Sequence, residues 1–387
     1  MEMLATTLFG LEEVLSSELR EAGASDIATH NRAVSFTGDR ELLYRLNLML
    51  RTASKLLMPV RSTRVRSERD LYSAARDIDW KKYLDPERTF AVDSVVHSKH
   101  FNHSKFVALR VKDAIADQFR EKTGRRPSVD RENPDVQINV HIDRERMTIS
   151  LDSSGVPLHR RGYRLEGRGA PIGEVLAAGM IRLSGWNGKD SFIDPLCGSG
   201  TIPIEAAMIA KNISPGLSRK RFGFFGWKDF DRGLFDKTVS ELKKGIRPAE
   251  GVIAGTDISG RTINTAIANA RRAGLENDIR FEACPFEKVV PPEAPGVAVM
   301  NPPYGKRMGQ EDIIEFYKMI GDGLKNSFEG YDAWVISSNL KALKFVGLRP
   351  SKKIILFNGP LECRFHAYSV YRGSKKAKYN KPDQTEE

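Results

Sequence analysis

The chain has 387 residues, 40% hydrophobic and 29% charged, which is room for two or three domains and a composition that excludes disordered and fibrous proteins. With 61 Lys and Arg against 50 Asp and Glu the net charge is +11, so polyanions, nucleic acid first among them, are the expected partners. Cys197, Cys284 and Cys363 lack paired spacing, the start lacks a basic leader, and no apolar run reaches the roughly 20 residues a bilayer requires; a disulfide framework, export and membrane insertion are excluded, and a cytoplasmic location is expected.

In chain order, a strand over 4–9 precedes a helix with Leu11, Val14, Leu15 and Leu19 on one face, and a strand at 34–36 and a helix over 42–50 complete an α/β unit spanning residues 1–57. Residues 58–154 read as an α+β module: a strand at 90–96, a helix over 104–122, then alternation at Val136, Ile138, Val140 and Ile142 and again at Met147, Ile149 and Leu151. His97, His100 and His103 have a spacing that suits a metal on a helix, but they fall at a strand-to-helix junction with no acidic or thiol companion close in sequence; a polar loop and no metal are expected. Residues 155–169, with Gly, Pro and clustered Arg, read as a linker. Residues 170–373 alternate strands (191–194, 252–257, 280–283, 297–300, 333–337) with helices from Thr201, Thr262 and Ile313, the pattern of a parallel sheet covered on both faces. Asn358-Gly359 suits a type I′ turn closing a last hairpin, which makes one strand antiparallel, and the Lys-rich residues 374–387 read as a disordered tail.

The chemistry concentrates at three strand ends. In Asp194-Pro195-Leu196-Cys197-Gly198-Ser199-Gly200-Thr201 a strand enters a glycine turn and then a helix, so backbone and helix N-terminal amides can approach a ligand closely. The dinucleotide fingerprint fails at Pro203, and the Gly-Lys-Ser/Thr of a P-loop is absent. Asp257-Ile258 ends the next strand and offers a carboxylate to a ribose diol, but lies 63 residues after Asp194, so an insertion occupies 212–248. Its Arg219-Lys220-Arg221-Phe222-Gly223-Phe224-Phe225-Gly226-Trp227 either holds phosphate and stacks on an unpaired base or is a lid whose rings pack on its own helices. Asn301-Pro302-Pro303-Tyr304 follows the fourth strand. Its two prolines direct the backbone so that the Asn301 side-chain oxygen and the Pro302 carbonyl accept from a planar amine, with the Tyr304 ring available to stack on the base.

Asp194-Pro195 through Thr201, together with Asn301 to Tyr304, resembles the class I S-adenosylmethionine-dependent amino-methyltransferases of nucleic acids. Val111 to Ile115, Pro134-Asp135-Val136 and Leu158 to Arg164 resemble a THUMP RNA-binding domain and its junction with the methyltransferase. With Ala170 to Glu174 and Asn358 to Cys363, the likeness spans nearly the whole chain and is to the RlmL-type 23S rRNA guanine-N2 methyltransferases. It implies an α/β fold: a Rossmann-like methyltransferase domain preceded by a ferredoxin-like domain and a THUMP domain. It also implies S-adenosylmethionine as cofactor, and as substrate the N2 amine of a guanosine in 23S rRNA or a large-subunit assembly intermediate. The cofactor is expected on Asp194, Pro195, Cys197, Gly198, Ser199, Gly200, Thr201, Asp257 and Ile258, and on Cys284 and Phe286, where relatives often carry an acidic adenine contact. The target amine falls to Asn301, Pro302, Pro303 and Tyr304, and RNA phosphates to Arg160, Arg161, Arg164, Lys306 and Arg307. A tRNA guanine-N2 enzyme and a non-catalytic RNA-binding assembly factor are the competing readings; a DNA adenine-N6 enzyme is disfavoured by the THUMP-like half, which suits structured RNA.

Overall fold

A computed structural model describes residues 1–164, 172–305 and 309–371. The first stretch holds β1 (Glu2–Thr6), α1 (Glu12–Glu21), β2 (Ser25–His30), β3 (Ala33–Thr37), α2 (Arg40–Met49), β4 (Lys55–Arg64), α3 (Glu68–Arg76), β5 (Thr89–His97), α4 (Ser104–Thr123), β6 (Ser128–Val129), β7 (Val136–Asp143) and β8 (Arg146–Asp152). Then follow α5 (Glu174–Leu183), β9 (Ser191–Asp194), α6 (Thr201–Ala210), α7 (Arg232–Lys244), β10 (Ile253–Asp257), α8 (Gly260–Arg272), β11 (Arg280–Ala283), β12 (Gly296–Met300), α9 (Gln310–Ser327), β13 (Tyr331–Ser337), β14 (Lys352–Asn358) and β15 (Leu361–Ser369). They form two compact units: residues 1–162 with 213–246, and residues 163–212 with 247–387.

In the first unit one mixed sheet runs β2-β3-β1-β4-β8-β7-β5-β6. β4 pairs with β1 through Leu56 and Leu57 and with β8 from Leu57 to Arg64, so one ten-residue strand continues across the position where the sequence pattern changes. Its core gathers Met3, Phe36, Leu46, Trp80, Phe119, Ile138 and Ile149. α3 opens on a reciprocal cap: Ser67 Oγ accepts from Asp70 N at 3.1 Å, while Asp70 Oδ2 accepts from Ser67 N at 3.0 Å.

The insertion belongs to this unit. Phe222 and Phe224 are buried, their rings stack at 5.1 Å, and Phe224 lies 4.7 Å from the ring of Tyr44 on α2. Phe230 and Phe235 also meet Tyr44, so the aromatic run is core and no platform for a base. It packs beyond its own helices, against α2, which neither sequence alternative contained. Gly223 permits this approach, since a Cβ there would lie 2.2 Å from the Asp152 carbonyl oxygen. Arg219, for which phosphate binding was one of the two readings, donates to the carbonyls of Ser154, Val156, Pro157 and Arg160 at 3.1, 2.6, 2.9 and 3.2 Å. Residues 154–160 are thereby bound into the first unit.

In the second unit the order is β11-β10-β9-β12-β13-β15-β14. β9, β10, β11, β12 and β13 are parallel, whereas β15 is antiparallel to both β13 and β14. The hairpin stands, but its turn is not type I′: Asn358 pairs with Leu361, so the loop is Gly359-Pro360. Gly359 has φ +60°, while the Pro360 ring enforces a negative φ, and type I′ needs positive φ at both loop residues. The chain leaves β9 toward β10 on one side and later places β12 on the other, creating a switch point at which the carboxyl ends of β9, β10 and β12 surround a crevice. No helix among the described residues is long and apolar enough to cross a membrane.

Candidate active site

All three chemical segments of the sequence reach this one edge. The parallel register sets Ile193 beside Ala298 and Asp194 beside Gly255, so Asp194, Asp257 and Asn301 each follow a strand at its carboxyl end. The loop after β9 turns on Gly198 at φ +53° and Gly200 at φ +82°. A Cβ on Gly200 would meet Ala266 Cβ at 2.9 Å, so glycine is required both for the left-handed backbone and for the packing of α8. Cys197 N donates to Thr256 O at 2.8 Å and Gly198 N to Asp257 Oδ2 at 3.2 Å, tying the glycine loop to β10. Asp257 Oδ1 accepts from Ser259 N at 2.9 Å, leaving lone pairs on both oxygens for a diol. Ile258, next to it, is 76% exposed, an apolar surface at a polar edge.

Asp194 is buried, with Oδ1 accepting from Leu196 N at 3.0 Å; burial, aided by the neighbouring Asp257 charge, pushes its carboxyl well above the usual range. Burial likewise raises the Cys197 thiol, so it is no nucleophile. Thr201 opens α6, and its Oγ1 accepts from the Arg164 guanidinium at 3.1 Å. Gly198, Ser199, Gly200, Asp257 and Ile258 therefore form a cradle in which the Gly198 and Gly200 amides brace the loop by donating to Asp257 Oδ2 and Cys197 O, leaving carboxylate acceptors and one apolar surface, which suits an adenosine-containing cofactor such as the S-adenosylmethionine implied by the resemblance. Asp194, Pro195, Cys197 and Thr201 shape it from behind.

Phe286 does not join the cradle. It is 5% exposed, its ring stacks on Phe328 at 6.1 Å, and it sits in the core against α9, so it offers no face to an adenine. Cys284 remains at the edge, its N donating to Asp257 O at 3.0 Å and its thiol to Pro285 O at 3.3 Å.

After β12, Asn301 and Tyr304 are locked together. The Tyr304 hydroxyl donates to Asn301 Oδ1 at 2.6 Å and accepts from Asn358 Nδ2 at 3.2 Å and from the Cys363 thiol at 3.8 Å. Burial holds the phenol far above its usual pKa, so it stays a neutral donor. Asn339 Nδ2 donates to Tyr304 O at 3.3 Å, and the Tyr317 hydroxyl lies 3.3 Å from Pro303 O and 2.6 Å from Ser337 Oγ. Among the described residues, Pro303 O and Tyr304 O thus each have a side-chain partner. Beside it a 290 Å³ pocket is lined by Gly305, Ile313, Asn339 and Lys341. Sequence reading gave Asn358 and Cys363 a family resemblance and no role; their pairing with Tyr304 was invisible because it spans more than 50 residues.

Two of the five expected phosphate ligands, Arg161 and Arg164, are corrected. Arg161 is 1% exposed and donates to Arg51 O at 2.7 Å, so it is part of the interior of the first unit. Arg164 is spent on Ile172 O at 2.8 Å, on Thr201 and on an ion pair with buried Glu174 at 3.3 Å, bracing α5 to α6. Arg160 is exposed; Lys306 and Arg307, like the tail 374–387, lie outside the described residues. Among the described residues no cluster of three or more potential metal ligands occurs, at His97, His100 and His103 or elsewhere. His100 does have an acidic neighbour, Glu145 at 3.5 Å, which the sequence spacing did not show.

Family comparisons agree with this architecture. Residues 2–57 match an RlmL ferredoxin-like domain, 65–152 a THUMP domain and 161–367 an RMKL-like methyltransferase domain. A Synechocystis sp. protein named "Putative RNA methyltransferase slr0064" is 41% identical over 95% of this chain and 96% of its own length. A ribosomal RNA large subunit methyltransferase K/L of Syntrophotalea carbinolica is 40% identical over 96% of this chain, which spans 54% of that protein. A structure named "Crystal structure of SMU.472, a putative methyltransferase complexed with SAH" superposes with a TM-score of 0.87 at 28% identity, covering 96% of this chain and 99% of the other. The glycine loop, the carboxylate at the tip of β10 and the Asn-Pro-Pro-Tyr loop at the tip of β12 stand on a fold that these matches span almost end to end, and the chain belongs to the RMKL-like methyltransferase family.

Proposed function

We propose that the chain is an S-adenosylmethionine-dependent RNA methyltransferase that modifies the exocyclic N2 amine of a guanosine in 23S rRNA, in the cytoplasm, with no metal. The observation that carries this reading is the position of Asn301 Oδ1 and the Pro302 carbonyl at the carboxyl end of β12, one strand from the glycine loop after β9 and two from Asp257. Bound there, the cofactor supplies an electrophilic methyl sulfonium. The chain's own residues present the nucleophile. The Asn301 carboxamide oxygen keeps one lone pair after accepting from Tyr304 and takes one amine hydrogen, while the Pro302 carbonyl takes the other. Two acceptors localise the nitrogen lone pair and stabilise the positive charge that develops on it, and the methylated amine is then acidic enough to lose one proton to water, so a strong general base is not required. The stacking expected of Tyr304 is constrained: its hydroxyl end is anchored to the β14–β15 hairpin, which fixes the ring against rotation toward solvent.

The rRNA substrate is supported by the names of the K/L relatives, twice the length of this chain, and by the RlmL ferredoxin-like and THUMP matches. The test is methyl transfer from radiolabelled S-adenosylmethionine to bacterial rRNA and tRNA separately, followed by nucleoside analysis, with Asn301→Ala as control. N2-methylguanosine in large-subunit rRNA that disappears in the variant supports the reading. Label confined to tRNA replaces the substrate, and cofactor binding without label in either favours a non-catalytic RNA-binding factor.

A further inference from the structure

The last residue of β4 and the first of β8 are both arginine and directly opposed, Arg64 against Arg146 in the ladder. Like charges facing each other across a sheet are destabilising. Arg146 also faces Asp143 across the β7–β8 ladder, but among the described residues neither arginine makes an ion pair within 4.0 Å, nor do Lys99 and Arg144 beside them, although Arg61 on the same β4 pairs with Asp77 at 3.5 Å. These four cations line a 740 Å³ pocket at the end of the first unit's sheet, within the roughly 300–1,000 Å³ range of ligand sites. His97 and His100 complete the wall. Of the two carboxylates present, Glu145 is committed to Arg66 at 2.9 Å and to His100, leaving only Asp143 against the cations.

The backbone shows the same departure from what stability favours. Arg144 has φ +55° in the tight turn joining β7 to β8, where Gly or Asn costs less. The turn is held in place: Arg144 N donates to His97 O at 2.6 Å, and Ser98 Oγ donates to Arg144 O. An unfavourable turn residue, opposed arginines and unpaired cations at one point are jointly explained by an anionic ligand that neutralises them. The lining holds no aromatic ring except imidazole, so it suits phosphate and not base.

We propose that this pocket clamps the phosphodiester backbone of the RNA substrate, an assignment that rests on the RNA reading above. It gives a role to the histidine-rich junction, and it places phosphate binding away from Arg161 and Arg164, which the fold uses internally. Contacts of this kind position RNA without reading its sequence.

The test is filter binding of transcribed 23S rRNA to the full chain across a KCl series, for wild type, Arg64→Gln/Arg146→Gln, Lys99→Gln/Arg144→Gly and the control Arg61→Gln. Each double variant should weaken binding about tenfold at moderate salt and flatten the slope of log affinity against log salt by about 1–2, as expected for losing one or two phosphate contacts. S-adenosylmethionine binding should not change, and neither variant should unfold at lower temperature, because one removes an opposed charge pair and the other a strained turn residue. A wild-type slope in both double variants, or an equal loss in Arg61→Gln, overturns the pocket while leaving the RNA reading intact. Absence of rRNA binding by wild type overturns both.

Discussion

The Tyr304 hydroxyl donates to the carboxamide oxygen of Asn301 at 2.6 Å, so the group expected to accept the substrate amine is oriented by the residue three positions later. The orientation is relayed from the hairpin, since Asn358 Nδ2 donates to the same hydroxyl. Asn301→Ala should lower kcat by roughly 10²–10³-fold, the effect of losing one preorganised polar group at a reacting centre. Tyr304→Phe keeps the ring and loses the relay. It should lower kcat about tenfold with cofactor Kd unchanged, and Asn358→Ala should shift kcat in the same direction by less. Single-turnover rates with cofactor affinity measured in parallel separate the two; a Tyr304→Phe enzyme at full rate would show that the relay does not matter.

Asp257 bridges the glycine loop and β10 and, unlike the buried Asp194, retains exposure. Asp257→Ala should weaken S-adenosylmethionine binding by about 1.5–3 kcal/mol, or roughly 10–100-fold, the value of hydrogen bonds to a charged group. Isothermal titration checks it, and an unchanged Kd would remove the diol from Asp257.

Phe286 lies in the core against Phe328 and α9 and not against the cofactor. Phe286→Ala should therefore destabilise the fold by about 3–5 kcal/mol. Phe286→Leu should lower Tm while cofactor Kd at 20 °C below Tm stays that of wild type; a Kd rising with preserved Tm would restore the adenine contact.

Arg219 satisfies four carbonyls and is buried enough that its guanidinium is pulled down to about 10. Arg219→Met leaves those acceptors without a donor and should cost about 3 kcal/mol in urea unfolding. Arg219→Lys should recover little, because a point ammonium does not span the positions the planar fork reaches.

His366 on β15 is half-buried opposite Lys353 and near Arg364, and burial followed by these two cations lowers its pKa below 6.5. The unfolded chain then binds the proton more readily, so its contribution to stability is present above pH 6.5 and is lost as pH falls through the folded value. His366→Gln should lose less Tm than wild type between pH 7.5 and 5.5. Parallel Tm curves for the two proteins would rule out His366 as the source.

Much of this was legible in the amino-acid order. The 3.6-residue period of Leu11, Leu15 and Leu19, the alternation from Val136 to Ile142, and the strand-glycine-helix step at Ser191 to Thr201 are local, and each element appears where that period places it. The parallel sheet with one antiparallel strand followed from strand-helix alternation and a closing hairpin. β2, β4, α3 and α7 were not placed: β2 is mostly exposed and lacks alternation, and α3 signals itself chiefly by its Ser67–Asp70 cap.

The amino-acid sequence by itself determined most of the elements, the three strand tips that hold Asp194, Asp257 and Asn301, and the family, because these depend on periodicity, turn chemistry and short motifs. Only the tertiary structure decided which cations are free. Arg161, Arg164 and Arg219 carry the same charge as Arg64 and Arg146, but the first three are enclosed by carbonyls or a carboxylate while the last two face each other across a ladder. It also moved Phe286 from a cofactor contact into core, decided that Phe222 and Phe224 are core, and made Asn358 a partner of Tyr304. Burial and pairing are set by residues far apart in the chain, as with Tyr44 and Phe224, and no local pattern encodes such a meeting.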